Sequence, residues 1–181
     1  MKEQTLILVD ENDNFLGTAS RKDCHSGLGK LHRAFVVLLI NDKGEILLQH
    51  RRRVKLGGGR WDGSAISHVL VGENYQSAAE RSLEFELGID YNDSLDDFGA
   101  FVYEEHYGND SENEYCKVLV GSWNNGFSPN KEEMDDARFV YLKDIIKELE
   151  SDSENKKYTK WFHLAMKKFL QHPSSSKYKK M

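Results

Sequence analysis

The stretch that most constrains this chain runs from Gly72 to Ile89, GENYQSAAERSLEFELGI, a helical repeat with a glycine at each end. Ala78, Ala79, Leu83 and Leu87 recur at three- and four-residue steps, which predicts the buried stripe of an amphipathic helix of about three turns. Arg81, Ser82, Phe85 and Glu86 fall on its flanks. Glu73 stands at the loop-to-helix start, where unpaired amides and the helix dipole favour a carboxylate, and Gly88 suits the position just past the last turn.

A chain of 181 residues fits one domain with a sizeable core, expected over residues 1–171. The serine- and lysine-rich segment 172–181 is expected to be a disordered tail. With 30 acidic and 25 basic residues the net charge is -5, which argues against broad nucleic-acid binding. Cys24 and Cys116 are too few for a disulfide framework and suit a reducing cytosol. The longest apolar run, Phe35 to Ile40, is too short to span a bilayer, and MKEQTLILVDENDN lacks a signal-peptide core, so a soluble cytoplasmic protein without membrane attachment is expected. A monomer and a homodimer both fit.

Strands are expected at Thr5 to Val9, Ala34 to Ile40, Glu45 to Gln49 and Trp61 to His68, with a hairpin turn at Asn41 to Gly44. The segment from Phe15 to His32 has no clear period and reads as loop. Asp97 to Tyr107 and Tyr115 to Trp123 suggest a hairpin about Gly108 to Ser111; Ala137 to Leu142 reads as a strand, and Lys143 to Glu150 and Thr159 to Leu170 as helices. Mixed strands with interleaved helices imply an α/β sandwich.

The opening stretch resembles the Nudix box, Gly, five residues, Glu, seven residues, then Arg-Glu-apolar-x-Glu-Glu-x-Gly-apolar. Glu73, Arg81, Leu83, Glu86, Gly88 and Ile89 match it, whereas Ser67, Ser82 and Phe85 depart from it. The resemblance implies a Nudix-type α/β/α sandwich with a mixed sheet. A hydrolase of that type needs clustered carboxylates to hold divalent cations against a pyrophosphate, and here Glu86 alone remains of the cluster.

Five further residues have the chemistry of metal ligands. His25 and His32 lie in a glycine-containing segment, His68 closes a strand, and Glu112 and Glu114 share one strand face with Cys116 behind them. Three imidazoles and two carboxylates suit Mn²⁺ or Zn²⁺ better than Mg²⁺.

With these residues, Leu16-Gly17-Thr18 and Arg21, Leu31 to Phe35, Arg51 with Lys55, Trp61 to His68, Phe85 ahead of Glu86, and Thr159 to Phe162, the chain is similar to type I isopentenyl diphosphate isomerases. These are Nudix-fold proteins that shift a double bond and likewise keep only the carboxylate at Glu86. The resemblance implies that His25, His32, His68, Glu112 and Glu114 bind the divalent ion and that Glu86 holds a Mg²⁺ bridged by the substrate diphosphate. It implies that Arg21, Arg51 and Lys55 meet the diphosphate oxygens, that Glu114 and Tyr103 handle the proton at the alkene carbon, and that Trp161 covers the isoprenoid; core packing is the alternative for Trp161. The family's catalytic cysteine falls on Ile66, which cannot transfer a proton, and a second basic position falls on Ser82. A metal-dependent isomerase of a small diphosphate, weakened at Ile66, is therefore the expectation; a Nudix diphosphohydrolase and a non-catalytic metal- or ligand-binding relative are the alternatives.

Overall fold

The computed structural model describes residues 3–178. Its centre is β3 (His32–Ile40), whose residues from Ala34 to Ile40 are all buried. That explains the unbroken apolar run AFVVLLI: the strand has neighbours on both edges and helices over both faces, so neither set of alternating side chains meets water. On one edge β8 (Asp110–Ser122) runs parallel to it, and on the other β6 (Ala65–His68) runs antiparallel. The other strands extend this sheet: β1 (Thr5–Val9), β2 (Phe15–Ser20), β4 (Glu45–Arg51), β5 (Trp61–Asp62), β7 (Asp96–Tyr107) and β9 (Met134–Tyr141).

Alternation along β3 divides the core into two. Phe35, Val37 and Leu39 pack with Ala78, Ala79, Leu83 and Leu87 of α2 (Tyr75–Leu87), the stripe expected from the sequence. Ala34, Val36, Leu38 and Ile40 face the opposite way, toward Leu142 and Ile145 of α3 (Leu142–Ser151) and Trp161, Phe162, Ala165 and Phe169 of α4 (Lys160–Gln171). The fold is the expected α/β/α sandwich around a mixed sheet. Asn74 and Ser77 form a capping box at the start of α2, and Gly88 ends it in the left-handed region at φ 62°.

Several boundaries differ from expectation. The segment read as loop from Phe15 to His32 contains β2 and a short helix, α1 (Arg21–His25), capped by Ser20. β2 is an edge strand with Phe15 and Leu16 exposed, so its pairing with β1 leaves no apolar alternation to read. The strand expected from Trp61 to His68 is two strands, because Ser64 leaves the ladder: its hydroxyl donates to Leu47 O and accepts from Leu39 N. β8 begins at Asp110, ahead of the expected Tyr115. The expected disordered tail is instead packed through Tyr178, after a 3-10 turn over Pro173–Lys177; the Tyr178 ring meets Phe98 and its hydroxyl donates to Asp96 Oδ2 at 2.7 Å. The rest of that segment, 179–181, lies outside the described residues. Among the described residues, no helix is long and apolar enough to cross a membrane.

Candidate active site and metal centre

Strand pairing alone gathers most of the site on the α4 side of the sheet. His32 of β3 is the direct partner of Glu114 on β8, Ala34 is the partner of both Cys116 and His68, and Tyr103 of β7 faces Glu114 from the far edge. Residues two apart share a face, so Glu112, Glu114 and Cys116 all turn inward, as the sequence implied. His25 reaches the same point from the end of α1, which is tied to the start of β8 by the Ser26–Asp110 bridge.

The three imidazoles form a nearly equilateral triangle, with ring centres 5.0, 4.9 and 4.9 Å apart. His25 Nδ1 donates to Ser111 O at 3.1 Å and His32 Nδ1 donates to Lys30 O at 2.7 Å, since a carbonyl can only accept. In each neutral ring the lone pair is then on Nε2, and both of these atoms are buried with no hydrogen-bond partner. Glu112 Oε2 is a third buried atom of this kind. The ligand atoms of His25, His32 and His68 lie within 4.8 Å of one another, as do those of His68, Glu112 and Glu114. Burial pushes His68 down to about 3, keeping it a neutral imidazole with a lone pair to offer. Burial alone would raise Glu114, but the imidazoles beside it, His32 with Nε2 3.7 Å and His68 with Nε2 3.1 Å from Oε1, outweigh it and hold this carboxyl well below the usual range. The donor set fits a divalent cation: the Nε2 atoms of His25 and His32 are buried without a hydrogen-bond partner, and the Glu112 carboxylate, with Oε2 3.2 Å from His25 Nδ1, lies beside them.

Next to this centre, the Tyr103 hydroxyl donates to Glu114 Oε2 at 2.6 Å, and burial together with the Glu114 charge drives the phenol well above its ordinary range. Trp161 lies 5.7 Å from the Tyr103 ring and is 1% exposed. Its six-membered edge is covered by the backbone of Gly57, where an added Cβ would come 2.4 Å from Cη2. Only glycine lets the basic loop after β4 lie so close to the indole.

Of the expected cations, Arg51 and Arg21 are near enough for their charges to bear on Lys55. Arg51 is buried, and its guanidinium sits 5.1 Å from the Trp161 ring. Its Nη2 donates to Leu56 O, while its Nε is buried without a partner. Lys55 is paired with Glu133; burial pushes it down to about 8, against the pull of Glu86, and Arg51, Arg21 and Arg52 lower it further. Arg21 itself is exposed, at the start of α1.

Glu86 is 5% exposed, and its two oxygens accept from Ser82 Oγ and Gln49 Nε2. Ser82, a departure from the box, thus orients, together with Gln49, the one carboxylate left of the cluster. Each oxygen keeps a second lone pair, so Glu86 can still offer an oxygen to a divalent cation.

Ile66 pairs with Val36, two residues from His68, and packs against the Tyr103 and Trp161 cluster. Asp62 escaped the sequence reading altogether. It is completely buried, accepts from Trp161 Nε1 at 2.6 Å and from the Gly63 amide, and lies 3.6 Å from Arg51. Burial pushes it up to about 7, although the Arg51 charge opposes this. The only signal in the sequence was an acid next to Trp61 within the segment read as a strand.

Residues 30–162 match the NUDIX domain family. Isopentenyl-diphosphate Delta-isomerase 1 of Photorhabdus laumondii is 34% identical over 161 residues, covering 88% of this chain and 90% of that protein. The isopentenyl-diphosphate Delta-isomerase of Haloarcula marismortui is 35% identical over 170 residues, covering 91% and 90%. The chain belongs to the isopentenyl-diphosphate Delta-isomerase family, within the NUDIX superfamily.

Solved structures agree on the fold. DR0079 from Deinococcus radiodurans aligns with a TM-score of 0.69 at 17% identity, covering 91% of this chain and 97% of that one. A MutT NUDIX hydrolase from Burkholderia pseudomallei aligns with a TM-score of 0.61 at 18% identity, covering 76% and 97%. The NUDIX match begins after α1, so His25 and Arg21 come from a segment that lies outside it.

Proposed function

We propose that this member of the isomerase family moves the double bond of isopentenyl diphosphate from the terminal to the internal position. The hydrogen bond between Tyr103 and Glu114 carries the reading: it sets a proton donor and a carboxylate side by side on a floor otherwise lined by Trp161 and Ile66. A proton is delivered to the terminal alkene carbon, the π electrons form the new C–H bond, and a tertiary cation remains. The Glu114 carboxylate takes a proton from the carbon on the diphosphate side, which forms the internal double bond, and passes it back to Tyr103 across their hydrogen bond, so the net proton count is unchanged. Water and nucleophiles are kept out by burial, and the indole face of Trp161 favours the cation.

His25, His32, His68, Glu112 and Glu114 would hold Mn²⁺ or Zn²⁺, a fixed positive charge that sets the acidity of the groups around it. Glu86 would hold Mg²⁺ with the diphosphate, and Arg21, Arg51 and Lys55 would neutralise the phosphate oxygens. Two free thiols, Cys24 and Cys116, accord with a cytoplasmic location. Incubation with isopentenyl diphosphate, Mn²⁺ and Mg²⁺, followed by chromatography, tests the proposal. The allylic isomer is the expected product; free phosphate would mark a diphosphohydrolase, and unchanged substrate a binding protein.

A further inference from the structure

Asp62 is in contact with both Arg51 and Trp161, two groups that the proposed reaction uses for different ends. Its Oδ2 accepts from the Trp161 indole at 2.6 Å and lies 3.6 Å from Arg51 Nη1. The guanidinium in turn sits 5.1 Å from the indole ring. The three side chains close a triangle. Oδ1 accepts from the Gly63 amide at 2.8 Å, and β5 holds Asp62 opposite Gln49 of β4, so the carboxylate is fixed to the sheet before it orients anything else. A staple between α4 and the sheet would account for the indole bond alone. It does not account for an arginine that turns toward the same oxygen and keeps a buried Nε without a partner, a donor available to an anionic ligand.

We infer that Asp62 is a positioning residue for the isomerisation, its single carboxylate holding the Arg51 guanidinium toward the diphosphate and the Trp161 indole over the hydrocarbon; this rests on the function proposed above. Asparagine at this position keeps an oxygen for the indole but loses the charge that draws in the guanidinium. Arg51 is therefore released first, and Trp161 loses the guanidinium that sits 5.1 Å from its ring and helps to fix its tilt. Misplacement of reacting groups by about 1 Å costs about 10²-fold. Asp62→Asn should lower kcat/KM by about that factor, with KM for isopentenyl diphosphate raised through Arg51 and kcat lowered through Trp161. Asp62→Glu, which retains the charge, should recover part of the KM effect.

The test pairs steady-state kinetics with ¹⁵N NMR of the Arg51 Nε–H and Trp161 Nε1–H groups in wild type and Asp62→Asn, with Mn²⁺ affinity as the check on the histidine centre. Both resonances shifting, with kcat and KM both changed and Mn²⁺ affinity retained, is the expected result. Wild-type kinetics in Asp62→Asn, or either resonance unmoved, overturns the inference. If wild type does not turn over isopentenyl diphosphate, the functional proposal fails, while the two resonances still decide whether one carboxylate positions both groups. Should Asp62→Asn not fold, Arg51→Gln must shift the Trp161 resonance and Trp161→Phe must shift that of Arg51; resonances that ignore these substitutions overturn the inference equally.

Discussion

Tyr103 and Glu114 are direct partners across the β7–β8 ladder, and the phenol donates to the carboxylate at 2.6 Å. Because burial and the Glu114 charge keep the phenol protonated, it is a donor throughout the working pH range. Tyr103→Phe removes that donor and little volume. Loss of a positioned acid–base group costs about 10²–10⁴ in rate. We expect kcat to fall by about 10²-fold with KM nearly unchanged, measured by steady-state isomerase kinetics.

Metal removal should act on activity and stability together. The buried Nε2 atoms of His25 and His32 make no hydrogen bond, so a bound cation stabilises the folded state selectively. At a free metal concentration a hundred times the Kd, the gain is about 2.7 kcal/mol. Chelation should abolish turnover and lower the melting temperature, and Mn²⁺ should restore both. His32→Ala should lose the calorimetric metal-binding signal and the thermal gain.

Much of this arrangement was legible in the sequence. The α2 stripe and β3 could be read because their buried residues repeat at helical spacing or form an unbroken run. Glu112, Glu114 and Cys116 could be placed on one face because strand alternation is strict. The start of β8 was hidden by the same acids, since site carboxylates interrupt the apolar pattern that marks a strand. Asp62 was hidden for another reason: its partner Trp161 is 99 residues away, and no local spacing links them.

Asp62 also gives a pH dependence of opposite sign for stability and function. Its ordinary value of 3.8 is raised to about 7 by burial, against Arg51, the Gly63 amide, Trp161 and Thr159, with Cys116 nearby. Between these values the folded state holds one more proton than the unfolded chain, so stability from this group is full below pH 4 and is lost as pH rises to 7. Asp62→Asn should remove that loss, on the order of a few kcal/mol, so its melting temperature gains on wild type across this interval. The rise of kcat/KM through neutral pH, as the carboxylate ionises and engages Arg51, should disappear in the same variant.

Ile66 faces the cluster of Tyr103 and Trp161 and has no exchangeable proton. Ile66→Cys places a thiol on β6, on the sheet face that also carries His68 and, two strands away, Glu114. Adding an acid–base group there should raise kcat by about 10²-fold, with no change in Mn²⁺ affinity, as read from kinetics and calorimetry.

The central claim is tested most directly by following isopentenyl diphosphate by NMR in D₂O with wild-type protein, Mn²⁺ and Mg²⁺, recording the allylic product and free phosphate together. Solvent deuterium in a methyl group of the allylic diphosphate, with no phosphate released, is the expected result. Phosphate release, or substrate left unlabelled and unchanged, would contradict it.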